Sequence, residues 1–175
     1  MTQTSRNTLA SRYGNSSPRT AEHPRAFTTF EFITGVFWAV LWFQPMAAVV
    51  AIVVGLISSP MFAFAFVIGG GFVGLPVSVA AALVGAPFAG LLGRALKAHS
   101  RDRVHVVAFT AFGVAIGLAT AAVVGLVLGG SLLAGLMLAP FALPCGVAVP
   151  LGWWKTSRSA LAADAHRAGG AAESE

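Results

Sequence analysis

From Phe32 to Gly93 the chain carries no Asp, Glu, Lys, Arg or His. Helices of water-soluble domains typically run about 8–20 residues and keep one polar face, so an uncharged stretch of this length does not suit a soluble fold. A second apolar block runs from Val104 to Trp154, with His105 and Cys145 as its only ionisable side chains. Runs of this kind read as membrane-crossing helices, each needing about 20 residues. Composition agrees: 10% of residues are charged, against about 25% in soluble domains, and mean hydropathy is +0.80. The expected fold class is an all-α integral membrane protein, with the lipid bilayer as its first partner.

The second block divides at Gly129-Gly130-Ser131 into spans 104–128 and 132–152. The first block offers two turns, Ser58-Ser59-Pro60 and Gly69-Gly70-Gly71. A turn at Ser58 leaves residues 61–92 as one helix of about 48 Å, well beyond a hydrocarbon core of about 30 Å. A turn at the glycines gives spans 46–68 and 72–92. That version is preferred, and it leaves 29–44 as an aromatic interfacial helix, with Trp38 and Trp42 as belt residues and Pro45 at the bend. A faint repeat points the other way. Val53-Val54-Gly55-Leu56 recurs as Val123-Val124-Gly125-Leu126, and Leu75-Pro76 as Leu143-Pro144, which moves the first turn towards Ser58. Either version predicts four spans in two helical hairpins, a membrane domain over 27–154. A disordered basic arm over 1–26 precedes it, and a tail over 155–175 follows, with a short helix at 157–167. The polar stretch before the first span is too long, and the apolar run too extended, for a cleaved signal peptide.

An even number of spans places the arm, the 93–103 loop and the tail on one side. These three segments hold all 11 Lys and Arg, whereas the turns at Gly69–Gly71 and Gly129–Ser131 hold none. Positive residues stay inside, which predicts an N-in, C-in protein of the plasma membrane with both termini cytoplasmic. Arg94, Lys97, Arg101 and Arg103 are the candidate contacts for anionic headgroups or an acidic partner. The net charge of +5 does not predict nucleic-acid binding, because neither an aromatic platform nor a DNA-binding motif accompanies it.

No catalytic, cofactor or metal site is expected. Gly69-x-Gly71-x-x-Gly74 matches the dinucleotide fingerprint as a string, but it lacks the strand before it and the acid about 20 residues on. The histidines His23, His99, His105 and His166 are scattered and lack metal-ligand spacing. His99 and His105 read as solvated residues flanking the loop, and Cys145 reads as a small packing residue. Thr28-x-x-Glu31 has capping-box spacing ahead of an apolar run. Gln44, beside Pro45, is expected to satisfy backbone groups freed by the proline. Ionisable residues, the usual mark of proton relays and ion coupling, are missing from the span interiors.

Small residues recur every four positions. Gly113, Gly117, Ala121 and Gly125 mark the third span, and Gly74 and Ser78 belong to a similar row on the second. Such rows let helix backbones approach in lipid, within the bundle or between copies. Gly117, nearer mid-span, is expected to tolerate substitution less well than Gly125. Two functional classes follow, with an enzyme third behind them. One is a non-enzymatic membrane bundle acting through helix packing, as an accessory subunit or self-associating scaffold, with a homo-oligomer or another membrane protein as partner. The other is a pore, channel or phage-type permeabilising protein, for which the helix-interior prolines allow kinks but no charged ring or filter is present.

Overall fold

The computed structural model describes Arg19, Glu22, His23, residues 25–58 and residues 60–172. Among them the secondary structure is entirely helical. Helix α1 is Thr29–Ser58. It opens on a closed capping box: Thr28 N donates to Glu31 Oε2 at 2.8 Å, and Glu31 N donates to Thr28 Oγ1 at 3.2 Å. The helix then runs through Pro45 without ending. One lost N–H at Pro45 costs less than ending a helix where neither water nor a neighbour would satisfy the freed backbone. Residues 29–44 are therefore the first half of one long helix, not a separate interfacial one.

Helix α2 is Pro60–Leu96, 37 residues long. Its first residue is a proline, which suits the first helical position because the missing N–H has no helical partner there anyway. Helix α1 thus ends at Ser58 and α2 begins at Pro60, and Gly69, Gly70 and Gly71 lie inside α2. This corrects spans 46–68 and 72–92. Three helical glycines cost about 1 kcal/mol each relative to alanine. A break would strand several amide groups at several kcal/mol apiece in an apolar setting. At about 55 Å α2 exceeds a bilayer core of about 30 Å, a mismatch that a helix can accommodate by tilting or by extending beyond the core.

Helix α3 is Asp102–Gly129. It ends at Gly130, whose φ of 66° is the left-handed conformation that glycine adopts without cost. Ser131 caps the short helix α4, Leu132–Leu138, by accepting from Ala134 N at 3.2 Å. A 3-10 turn at Ala139–Phe141 leads into α5, Ala142–Ala172. Helix α5 continues past Trp154, so 157–167 is part of it and not a separate tail helix; alanine-rich sequence sustains it. Four segments are long and apolar enough to cross a membrane: Thr29–Ser58, Val67–Leu96, Asp102–Gly129 and Leu132–His166.

Helix α5 packs along both α1 and α3, while α2 packs along α1 and meets α3 much less. Small residues face inward: Ala51, Gly55, Ala89, Ala121, Ala142 and Ala148 are buried. Large apolar side chains such as Phe30, Phe72, Leu83 and Val127 point outward. This arrangement, with small residues inside and bulk outside, is how helices pack when the surrounding medium is itself apolar.

Candidate functional site

The row on α3 is spent within the chain. A Cβ at Gly113 would strike the Cys145 carbonyl, and one at Gly117 would lie 2.7 Å from Ala142 Cα. A Cβ at Gly125 would overlap the backbone of Gly135, whose own Cβ would lie 2.9 Å from the Ala121 carbonyl oxygen. The row on α2 behaves differently. A Cβ at Gly74 would meet nothing within 4 Å, as at Gly69, Gly70 and Gly71, so Gly74 makes no helix contact. Ser78 accepts a hydrogen bond from Gln44 Nε2 at 2.8 Å and donates to the Leu75 carbonyl at 2.8 Å. Gln44 therefore bridges α1 to α2, in place of satisfying backbone near Pro45.

Because α2 stands off α3 over its glycines, a cavity of about 650 Å³ remains among α1, α2, α3 and α5. This lies within the usual range of about 300–1,000 Å³ for ligand pockets. It runs from Arg19 and Arg25 at one end to Gly70 and Gly129 at the other, with walls mostly of Gly, Ala, Val and Phe. α2 comes nearest α3 towards the Arg94 end, where a Cβ at Gly85 would lie 3.5 Å from Ile116 Cδ1.

The end of the bundle that holds the basic loop is tied together by the last part of the arm. Arg19 pairs with Glu31 of α1 at 3.0 Å and with Asp164 of α5 at 2.9 Å. Arg25 pairs with Asp102 of α3 and donates to Ser157 Oγ of α5 at 3.1 Å. Its backbone N donates to the Lys97 carbonyl just beyond α2. Phe27 stacks on Phe32 and fills the space over Gly93. The sequence expectation of a disordered arm thus fails for its described end, because two arginines find acids on three helices. Residues 1–18 lie outside the described residues.

His105 is also corrected. It is 1% exposed, stacks on Trp153 at 4.8 Å between ring centres, and its Nδ1 lies 3.3 Å from the Arg101 carbonyl. His99 is exposed. Lys155 sits over Trp38 at 3.2 Å and Arg158 over Trp154 at 4.4 Å, so these two cations are held on aromatic faces. Arg94, Lys97, Arg101 and Arg103 are all exposed. Asp102 is the one acid among them in sequence, and Arg25 occupies it. The loop therefore presents a cationic surface that its own acid does not cancel.

These contacts were not legible in the sequence. The arginine pairs join residues up to 145 positions apart, and only the scarcity of acids hinted that each would be claimed. No family model, curated protein or solved structure matches the chain.

Proposed function

We propose that the chain is a small integral membrane protein that acts through contact and not through catalysis. Its spans form two helical hairpins with both termini in the cytoplasm, and its role is that of an accessory subunit or self-associating scaffold seated on anionic headgroups. The supporting observation is the exposed set Arg94, Lys97, Arg101 and Arg103 at one end of four apolar helices. The α3 row is used internally, so any contact between copies falls to another face. Helix α2, whose apolar crossing window is the least buried of the four, offers one.

Each Lys or Arg near an anionic surface contributes about 1 kcal/mol. Replacing all four loop cations with Gln should therefore weaken the preference for phosphatidylglycerol over phosphatidylcholine about fivefold or more. Quenching of tryptophan fluorescence by brominated forms of each lipid reads this out. An unchanged preference would remove the loop from headgroup recognition.

Threading has its own test. In a Cys145→Ala background, a cysteine at Gly130 should react with an impermeant thiol reagent in intact cells, and one at Ser100 should not. Labelling at position 100 alone would invert the orientation.

A pore is the second reading, because the cavity lies among all four long helices, although its apolar walls count against a column of water. Dye leakage from liposomes separates the two: a scaffold leaves them sealed.

A further inference from the structure

The cavity wall carries a band of polar side chains at one depth. Gln44 and Ser78 are hydrogen-bonded across it. Gly152 of α5 lies against Gly35 and Ala39 of α1, and the two helices run in opposite directions. Seven residues back along α5 therefore brings Cys145 level with about residue 44 of α1. Cys145 also abuts Gly117 of α3, and Thr120 is about one turn further on. Gln44, Ser78, Thr120 and Cys145, one from each of α1, α2, α3 and α5, all line the cavity. Residue 44 is midway along α1, so the band sits at the middle of the bundle, flanked by apolar wall on both sides.

We propose that this cavity binds a neutral, lipid-soluble molecule that carries a carbonyl or hydroxyl group. Gln44 is the principal polar contact and Thr120 the second. The Ser78 bond uses one amide N–H of Gln44 and leaves the other, with the carbonyl oxygen, to serve a guest. A bare hydrocarbon chain would fill the space but leave these groups unmet, at a cost of about 1–3 kcal/mol. An ion or charged headgroup at this depth would lack a countercharge, since Arg19, Arg25 and Glu31 stand at the cavity's end and are already paired with acids or bases. A column of water is disfavoured by walls this apolar. Entry is lateral, through the gap between α2 and α3 beside Gly70 and Gly74, where the guest's apolar body then lies.

The chain's single cysteine reports occupancy. In nanodiscs of the full chain, decylubiquinone (carbonyl probe) and farnesol (hydroxyl probe) are titrated while alkylation of Cys145 by N-ethylmaleimide is timed. At least one probe should slow alkylation saturably. Gln44→Leu should weaken that probe about tenfold, the order expected for loss of one well-placed hydrogen bond. Gly74→Leu fills open space, so it should abolish protection while melting like wild type; Gly70→Leu serves if the first variant fails to fold. Hexadecane at equal mole fraction should give no saturable protection.

Four results overturn the proposal. The first is a Cys145 that never reacts, or that neither probe protects. The second is equal protection by hexadecane, which would make the cavity a slot for lipid tails. The third is undiminished protection in folded Gly74→Leu or Gly70→Leu. The fourth is carboxyfluorescein leakage through wild-type proteoliposomes, which would make it a water-filled pore.

Discussion

Gly125→Leu should leave almost no folded protein. A Cβ at this position would overlap Gly135 N and Cα and lie 3.0 Å from the Ala134 carbonyl carbon. All three are backbone atoms, so no rotamer change relieves the clash; α4 must move off α3. Inserting methylenes into a well-packed core costs about 1–3 kcal/mol when side chains can adjust, and here they cannot. Gly125→Ala should fall in the same direction by less. The comparison is Gly74→Leu, which meets open space and should melt like wild type. Yield in detergent and thermal midpoint decide it. If Gly125→Leu melts with Gly74→Leu, the α3–α4 contact does not exist. The sequence pointed to Gly117 as the more sensitive site because of its depth. The structure reverses that order, because the backbone approach at Gly125 is the closer of the two.

Gly152→Leu should separate α1 from α5 without disturbing α3. The Cβ would lie 2.5 Å from the Gly35 carbonyl oxygen and 2.9 Å from Ala39 N. This is again backbone on backbone, but between the first helix and the last. A loss of about 3 kcal/mol lowers the midpoint of a chain this size by about 10 °C. Hydrogen exchange should show its signature: amides of 29–58 lose protection, whereas those of 102–129 keep it. Uniform loss across both helices would mean that α1 and α3 do not unfold separately.

How far the fold could be read from residue types varies along the chain. Charge spacing marks two apolar blocks, and the length of each block, set against the roughly 20 residues that one span needs, divides it into two helices. Gly130 and Ser131 carry turn chemistry in their own side chains and dihedral freedom. The first turn was misjudged for a physical reason. Three consecutive glycines are a break signal in water, where solvent satisfies an opened backbone. In an apolar setting the intact helix costs less, so Pro60 marked the boundary and Gly69–Gly71 did not. A helix need not lie wholly within the bilayer core, so helix length does not by itself place a turn.

The interior resisted reading for a different reason. Gln44, Ser78, Thr120 and Cys145 are each unremarkable in sequence, and nothing local says that they share a wall. Their convergence depends on the register between helices, which Gly35, Ala39 and Gly152 set by backbone contact. His105 looked solvated because it follows a charged loop, yet Trp153, 48 positions on, covers it.

The bond between Arg19 and Asp164 spans 145 residues, so it closes only after most of α5 has been made. At about 5–20 residues per second the ribosome needs on the order of 10 s to pass from one partner to the other. During that interval Arg19 is already synthesised while Asp164 is not, and Glu31 is the one acid of the pair at hand. The full clasp forms only once α5 has come to rest beside α1. Arg19 thus gains its second partner only with the helix that packs along both α1 and α3.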